Sequence, residues 1–496
     1  MSTVNNGPQI VRSGLVLNLD ASSANSYGPI KAEVLVVAGG GAGGGYHGGG
    51  GGAGGVLYTS NYTIVRNTTY TVTVGLGGAG ASSTSNTGDP GQNSIFSGAS
   101  TVLTAVGGGA GKSQGNATTA RNNGGSGGGG CDGNSSSITG GSGTAAQGFN
   151  GGDVSGASGD LLAVYYGTAG GGGAGGVGGT GGIVNGGFGG PGLPFSISGT
   201  TQYYGGGGGG TNLTNVLTYG IGGIGGGGTG GVSPSPHNSP LRYSTNGSAN
   251  TGGGGGGYLY SGNGGGSGGS GIVIIRYKGP QKATGGTVTT VGSETVHTFT
   301  SSGTFVTGTN FIDLSGNGNT GSLVNGVGYS GSNGGSLSFD GINQRVSTNY
   351  KPSGERSYFI WVKFSSLTHS SGYSLTGTQE ANSYTYIGIQ NGGDVYYYAG
   401  ASTGGNIGNP VTVNTWVNIG FALFPDGSRR VYKNGIEIHY NTGGLGGTAT
   451  LEFSVGCINQ NHFITGNISN VTIYNRALSA SEIMQNYEAT KTRFGL

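Results

Sequence analysis

Short apolar stretches recur along the chain, and most of them alternate apolar and polar residues with period two. Residues 34–37 and 272–275 are continuous apolar runs, and residues 62–74 alternate on both sides of a polar centre at residues 66–68. Apolar runs of this length, bounded by turn formers, are typical of β-strands. The pattern predicts strands at 34–37 and 272–275 and two strands within 62–74.

After about residue 310 such strands follow one another closely. Predicted strands cover residues 336–339, 358–364, 384–389, 416–423, 430–433 and 471–474. Asn434-Gly435 predicts a tight hairpin turn, because both residues tolerate positive φ. Only the end of the chain has a helical signal: Ser479, followed by Glu482, forms a capping box that opens a short helix to about Ala489. The spacing of strands predicts a β-sandwich or jelly roll.

Between about residues 38 and 271, runs of almost pure glycine separate the apolar stretches. Glycine makes up 124 of the 496 residues, far above the ~7% of an average protein. Glycine has no side chain to bury, so the region is either a flexible tether or a fold in which backbone packs on backbone. The framing strands and the many tyrosines favour a fold.

Polyglycine II helices provide such packing, because their outward peptide groups can bond to neighbouring helices. A run of about six to eleven residues, at ~3.1 Å per residue, spans roughly 20 to 35 Å. We therefore expect successive runs to cross one layered block, with polar turns such as residues 82–90, 112–116 and 232–240 at its ends.

This region resembles the glycine-rich domains of phage tail-fibre and virion proteins. The resemblance rests on residues 34–45, 70–75, 104–109 and 266–277. The packing that it implies is similar to the polyglycine II sandwich of fibre-tip adhesins in T-even-like phages. In that family, loops at the distal end of the sandwich contact the host receptor.

The C-terminal part resembles the concanavalin A-like, laminin-G-type jelly roll. The matching pieces are residues 313–319, 321–326, 339–343, 361–363, 426–427, 432–435 and 466–479. Relatives usually begin with a strand like residues 13–21, which here lies nearly three hundred residues before the next matching piece. We predict that the glycine-rich domain is inserted in a loop of the jelly roll, and that Leu15 to Leu19 pairs within the C-terminal sheet.

The expected fold is all-β, with a laminin-G-like sandwich, an inserted domain of polyglycine II helices framed by short strands, and one short C-terminal helix. Residues 1–28 would supply the first jelly-roll strand, 29–308 the insert and 309–496 the remaining jelly roll. Related glycine-rich domains carry a strand like residues 296–305 before their first apolar strand. A permuted arrangement would place it beside residues 33–37, and the alternative is an independent connector hairpin.

Composition narrows the function classes. Charged residues are 7% of the chain and the net charge is +2, so no nucleic-acid surface is predicted. No apolar stretch approaches the ~18 residues of a membrane span, and residues 1–7 lack the features of a signal peptide. We expect a virion protein made in the host cytoplasm, without membrane insertion. Cys131 and Cys457 fall in different predicted domains, which predicts two free thiols.

Paired carboxylates, which hydrolases on jelly rolls need, do not occur in the predicted strands. Glu437 is followed by Ile438, and Glu452 stands alone between apolar neighbours. We predict no enzymatic activity and no required cofactor. Laminin-G relatives often hold calcium at a sheet rim, and Asp340 and Asn343 offer oxygens for it, although Gln344 stands where relatives often have an acid.

Recognition is the function class that the composition favours. The 27 tyrosines, together with Ser, Gly and Asn, are typical of recognition loops. Candidate receptor contacts at the breaks between glycine runs are Tyr46, His47, Tyr165, Tyr166, Tyr203, Tyr204, His237, Arg242, Tyr243, Tyr258 and Tyr260. The alternative for each ring is that it covers the end of the glycine sandwich and bonds to its exposed peptides.

A second candidate surface lies on two predicted jelly-roll strands. Tyr384 shares a strand face with Tyr386, and Tyr396 shares one with Tyr398. These rings would form a glycan platform, and the alternative is that they pack in a core or an interface.

Two functions stay open at this point. One is a non-enzymatic tail-fibre or tail-tip adhesin that binds a host surface glycan or outer-membrane protein through loops of the insert. The other is a structural decoration or connector protein whose jelly roll docks on other virion subunits, and a polysaccharide-degrading enzyme is a weaker third. Fibre proteins that resemble this chain are often homotrimers, although no heptad or triple-helical repeat demands that here.

Overall fold

The computed structural model describes residues 9–23, 26–80, 88–99, 101–114, 119–131, 138–155, 167–182, 185–212, 219–232, 243–259, 264–380, 383–401 and 403–496. The chain divides into two compact units. The jelly-roll unit comprises Met1–Ile30 and Thr309–Leu496, and the glycine-rich unit comprises Lys31–Gly308. Among the described residues, no helix is long and apolar enough to cross a bilayer.

Strands are the main regular secondary structure in both units, which confirms the all-β prediction. In chain order they are β1 Leu15–Asp20, β2 Ile30–Val37, β3 Val56–Ile64, β4 Thr69–Thr73, β5 Ser94–Gly98, β6 Thr101–Ala105, β7 Leu193–Phe195, β8 Gln202–Tyr204, β9 Ile272–Lys278, β10 Ala283–Thr284, β11 Thr287–Val291, β12 Glu294–Phe299, β13 Gly303–Thr307, β14 Asn310–Phe311, β15 Gly321–Val324, β16 Gly328–Ser330, β17 Ser336–Asp340, β18 Arg345–Thr348, β19 Arg356–Phe364, β20 Tyr373–Thr378, β21 Tyr384–Gln390, β22 Val395–Gly400, β23 Thr403–Asn406, β24 Trp416–Leu423, β25 Ser428–Lys433, β26 Ile436–Thr442, β27 Ser454–Val455 and β28 Thr465–Tyr474. The helices are α1 Thr119–Asn122 and α2 Ala480–Glu488, with 3-10 turns at Ser332–Gly334 and Lys491–Phe494.

The jelly-roll unit is a sandwich of antiparallel sheets. One sheet has the order β16-β17-β28-β19-β24-β25-β26, and β1 also pairs with β28. The predicted long-range pairing is confirmed, because Leu19 lies opposite Val471 and Leu17 opposite Ile473. The facing strands form the orders β14-β15-β18-β27 and β20-β21-β22-β23.

Alternation along the strands builds the core between these sheets. Ile360 and Val362 on β19 are buried there with Ile387 and Ile389 on β21, as period-two burial requires. The Asn434-Gly435 turn joins β25 to β26 with φ of 52° and 79°. Both residues are therefore left-handed, as the Asn-Gly signal predicts.

The C-terminal helix covers the outer side of the first sheet. Its capping box is present as predicted, with the Ser479 side chain accepting from the Glu482 amide. Trp361 and Trp416 are buried under Phe494 of the C-terminal segment rather than between the sheets. The Trp361 and Phe494 ring centroids are 4.1 Å apart.

Two five-stranded sheets close one end of the glycine-rich unit. Their orders are β11-β12-β9-β2-β3 and β10-β13-β4-β5-β6. The strand at 296–305 is split between β12 and β13, and β12 does not lie beside β2. β9 separates them, pairing with β12 on one edge and β2 on the other. The prediction that residues 296–305 lie beside residues 33–37 is therefore wrong, because β9 lies between β12 and β2. The continuous apolar run of β9 is buried best at the centre of the sheet.

The glycine runs pack around one central run, residues 48–55. Its successive amides donate in rotation to runs 106–112, 167–174 and 252–258, so Gly49 bonds to Lys112 and, three residues later, Gly52 bonds to Gly109. Its carbonyls accept in the same rotation from runs 39–45, 124–131 and 205–212. A threefold rotation of peptide groups is the geometry of a polyglycine II helix. These six inner runs are surrounded by outer runs at 75–80, 88–92, 138–144, 148–154, 177–182, 185–192, 219–225, 226–232, 243–251 and 264–271.

Only glycine allows the inner runs to approach so closely. A Cβ added to Gly51 would lie 2.7 Å from the carbonyl carbon of Ala42, well inside ordinary van der Waals contact. The hydrogen-bonded backbone therefore replaces the side-chain core of an ordinary domain.

Candidate functional site

One end of the glycine-rich unit lies away from its two sheets. β2 leads into run 39–45, and run 48–55 leads back into β3. The turn between these runs, Tyr46-His47, therefore lies at the end opposite the strands. The Gln114 amide donates to the Tyr46 carbonyl and the His47 amide to the Leu259 carbonyl, both at 3.1 Å. We call this the distal end.

The Tyr46-His47 turn holds two residues in a costly backbone conformation. Their φ values are 38° and 52°, and a 2.9 Å bond from the Gly44 amide to the Gly49 carbonyl closes the turn. A non-glycine residue in the left-handed region costs roughly 1–2 kcal/mol, and such outliers cluster at functional sites. The two rings lie 4.6 Å apart, so the strained turn presents a paired aromatic group.

Tyr243 and Tyr258 form a second aromatic pair at the distal end. Their rings are stacked at 6.4 Å, and the Tyr258 amide donates to the Gly44 carbonyl beside the turn. Tyr243 is 53% exposed, whereas Tyr258 is 5% exposed. Tyr258 therefore supports Tyr243 and is not itself an accessible contact, which corrects its prediction as one.

Two other candidates lie at the sheet end. Tyr204 on β8 is buried against Leu35 and Val56, so its prediction as a receptor contact is wrong: alternation on β8 turns it inward. Tyr203, the preceding residue, is exposed but far from the distal end. Tyr165, Tyr166, His237, Arg242 and Tyr260 lie outside the described residues.

The jelly-roll tyrosines come together on one sheet surface. Tyr373 on β20, Tyr384 and Tyr386 on β21, and Tyr396 and Tyr398 on β22 lie on the side opposite the inter-sheet core. We call this the tyrosine face. Ring centroids are 4.7 Å apart for Tyr373 and Tyr396, and 5.3 Å apart for Tyr386 and Tyr398.

Glycines opposite these tyrosines keep the surface open. The cross-strand pairs are Tyr384 with Gly400, Tyr386 with Gly377, Tyr396 with Gly388 and Tyr398 with Gly404. A Cβ at Gly404 would lie 2.9 Å from the Tyr398 ring. Each of these four tyrosines thus has a glycine opposite it on one neighbouring strand, a long-range arrangement that sequence reasoning missed.

The five tyrosines of the tyrosine face differ in burial. Tyr386 is 4% exposed and sits at the centre, so the packing alternative holds for it, while the other four rings are half-buried. Burial, followed by the neighbouring tyrosines, raises the pKa of both Tyr386 and Tyr396. Both phenols are neutral at physiological pH and can donate or accept hydrogen bonds.

A cleft of about 370 Å³ opens beside Tyr384, lined also by Glu380, Ile458, Asn459 and His462. Asn459 and His462 have φ of 42° and 53°. Within the described part of the chain, the buried Nδ1 of His462 has no hydrogen-bond partner, and burial lowers the pKa of this imidazole. No local sequence signal pointed to these residues, because the fold brings them beside β21.

The predicted calcium ligands lie at the end of β17, which is Asp340, and in the turn that follows, which contains Asn343. The Asp340 carboxylate accepts from the Ile342 amide at 2.9 Å. Gln344 accepts from the Asp340 amide and donates to the Gly326 carbonyl, a donor role that a carboxylate could not fill. No group of three His, Cys, Asp or Glu side chains suited to a metal occurs among the described residues, and calcium binding by Asp340 and Asn343 stays a prediction.

Two family models match the chain. A family model described as a glycine-rich domain matches residues 21–278, just over half of the chain. The chain belongs to this glycine-rich domain family. A second model, described as the concanavalin A-like lectin/glucanases superfamily, matches residues 332–484. No curated protein matches the chain.

Solved structures give only distant likenesses to this family member. Domain 4 of an extracellular arabinanase from Geobacillus stearothermophilus, in complex with arabinotriose, is 20% identical with a TM-score of 0.29, covering 35% of this chain and 91% of that one. The receptor-binding domain of botulinum neurotoxin type G is 16% identical at 0.30, covering 36% and 48%. Trypanosoma rangeli sialidase in complex with sialic acid is 15% identical at 0.31, covering 38% and 32%.

Proposed function

We propose that the chain is a non-enzymatic receptor-binding protein of a phage tail fibre or tail tip, and that the distal end of the glycine-rich unit contacts a host surface glycan or outer-membrane protein. The observation that carries the proposal is the strained Tyr46-His47 turn. An Asn-Gly pair would close the same turn without the strain. Since Tyr46 and His47 carry this strain, we infer that their rings have a role other than closing the turn.

The position of this turn supports a recognition role. It joins the central run to an inner run, and both are fixed by hydrogen bonds along their length. The rings are thus held on a preorganised support, which lowers the entropy lost on binding. The rings of Tyr46 and His47 are half-buried, and Tyr243, stacked on Tyr258, adds an exposed ring at the same end.

The test removes the rings while keeping the turn. In the double variant Tyr46→Asn/His47→Gly, both residues accept positive φ, so the glycine-rich unit should stay folded and gain about 1–2 kcal/mol of stability. Tyr203→Ser is the matched control, because it removes an exposed ring from the sheet end. Each protein is immobilised and probed with a panel of bacterial surface polysaccharides and solubilised outer-membrane proteins.

Binding that survives Tyr203→Ser and falls at least tenfold in the double variant supports the proposal. Unchanged binding in a folded double variant contradicts the proposal, and a wild type that binds nothing in the panel favours the structural alternative, a decoration or connector protein. Shortened polysaccharide chains after incubation with the protein would contradict the non-enzymatic assignment.

A second candidate function is glycan binding at the tyrosine face. Half-buried neutral rings beside a polar cleft suit a sugar, which offers an apolar ring face and hydroxyl groups. Tyr398→Ala should weaken binding of a polysaccharide ligand, and Tyr440→Ala is the control because Tyr440 is an exposed ring on β26 of the other sheet. Equal affinities for the two variants would exclude this face.

A further inference from the structure

One side of the glycine-rich unit carries exposed apolar side chains on adjacent outer runs. A three-residue helical turn directs every third residue outward, and Ile221 and Ile224 follow that spacing on one run. The exposed fractions are 45% for Phe149, 62% for Val177, 59% for Phe188, 56% for Ile221 and 54% for Ile224. We call these five residues the apolar face.

Backbone hydrogen bonds show that these runs are neighbours. The Gly178 amide donates to the Asn150 carbonyl, the Gly179 amide to Phe188, and the Gly189 amide to Ile221. The runs at 148–154, 177–182, 185–192 and 219–225 therefore lie side by side, and the apolar face is continuous across them.

Outer runs elsewhere present polar side chains at the equivalent places. Thr245 and Ser248 are exposed on run 243–251, and Ser267 and Ser270 are half-buried on run 264–271. The hydroxyls of Thr245 and Ser267 accept hydrogen bonds, and the hydroxyl of Ser270 donates one. Leu76, 61% exposed on run 75–80, is a lone apolar side chain on that side. Among the described outer runs, exposed large apolar side chains thus cluster on this side of the unit.

The charge pattern of this side favours a second copy of the chain as its occupant. No Asp, Glu, Lys or Arg occurs in the sequence between Asp160 and Arg242, which includes three of the four runs. Identical faces can therefore meet without like-charge repulsion. On these three runs a partner that relied on charged contacts would find no complement, and the fourth run carries one charged residue, the exposed Asp153.

The spacing of the outward side chains on the apolar face also suits packing against the same face of a second copy. Outward residues repeat about every 9.3 Å along a polyglycine II helix, with glycines forming grooves between them. One groove, of about 450 Å³, is lined by Thr180, Asn185, Phe188, Tyr219 and Ile221. A second copy has ridges with the same repeat, so its side chains can enter several grooves at once.

The buried area is sufficient for a specific contact. Side chains of this kind each remove roughly 60–120 Å² of apolar surface when buried, so the five give roughly 300–600 Å² per copy. Two copies together then approach the ~1,000 Å² of a specific interface. We propose that the glycine-rich unit self-associates through the apolar face.

The experiment measures the mass of the full chain by sedimentation velocity across micromolar concentrations. Phe188→Asp and Ile221→Asp place a charge in the face without touching the glycines. Leu76→Asp is the matched control, with similar exposure on the other side. Circular dichroism and thermal unfolding check that each variant is folded.

We expect the wild type and Leu76→Asp to associate equally, with at least tenfold weaker association for Phe188→Asp and Ile221→Asp. A wild type that stays monomeric, or association lost in Leu76→Asp alone, would overturn the proposal. If the charged variants misfold, Val177→Cys and Leu76→Cys provide the second measurement. A bismaleimide should link copies through Cys at 177 and not at 76, and the reverse result would also overturn it.

Discussion

Alanine at Gly208 tests the close packing of the glycine runs. Gly208 lies on an inner run, where its amide donates to the Gly51 carbonyl at 2.8 Å. An added Cβ would lie 2.6 Å from the carbonyl carbon of Gly255 and closer still to its oxygen. Run 205–212 would have to move by about 1 Å from run 252–258 to restore ordinary contact.

That movement has two costs. Overpacking costs about 1–3 kcal/mol, and the bonds from Gly254 to Gly206 and from Gly257 to Gly209 would each lose about 1 kcal/mol or more. Alanine also adds about 0.4–1 kcal/mol of stability, because it restricts the unfolded chain more than glycine does. We expect Gly208→Ala to lower the free energy of unfolding by about 2–5 kcal/mol, which for a unit of this size is roughly 10 °C in Tm.

Calorimetry of the full chain measures this change, and Gly182→Ala is the matched control. A Cβ at Gly182 has no atom within 4 Å, so its variant should unfold within about 0.5 kcal/mol of the wild type. Hydrogen exchange of the inner runs then locates the loss. If Gly208→Ala unfolds like Gly182→Ala, backbone contact between the runs does not hold this unit together.

Two further predictions concern the helix cap and the thiols. Hydrogen bonding to Arg476 holds the pKa of Glu482 at about 2, below its ordinary value of 4.5, so the carboxylate stabilises the fold above about pH 4.5 and loses that effect as the pH falls towards 2. Glu482→Gln, which keeps an acceptor for the Ser479 amide, should lower Tm at pH 7, and a Tm gap that did not shrink by pH 2 would contradict the ion pair. Cys131 and Cys457 are buried and are not joined in a disulfide, so a thiol reagent should label neither in the native protein and both after unfolding in guanidinium. Rapid labelling of either thiol in the native protein would contradict the burial of that cysteine.

Local features were predictable because neighbours in sequence settle them. The capping box at Ser479 needs only a four-residue segment, and the Asn434-Gly435 turn needs only two residues that tolerate positive φ. The pairing of Leu15–Asp20 with β28 was also predictable, but through the order of matching motifs in relatives rather than through any local pattern.

Site residues were harder to predict, because exposure depends on distant partners. Tyr203 and Tyr204 are equivalent in composition, yet pairing and alternation on β8 bury only the second. The tyrosine face needs Gly377, Gly388 and Gly404 from neighbouring strands, and single-strand patterns do not reveal register.

For the glycine runs, too, the sequence determined some properties and the tertiary structure determined others. Their composition determined that side chains could not form the core, which left either a flexible tether or backbone packed on backbone. Which run is central, which end carries Tyr46 and His47, and which side collects Phe188 and Ile221 were decided only by the packing of all the runs. The physical reason is that every glycine run has the same local conformation and the same hydrogen-bonding groups, so a run acquires its place only from the neighbours that surround it.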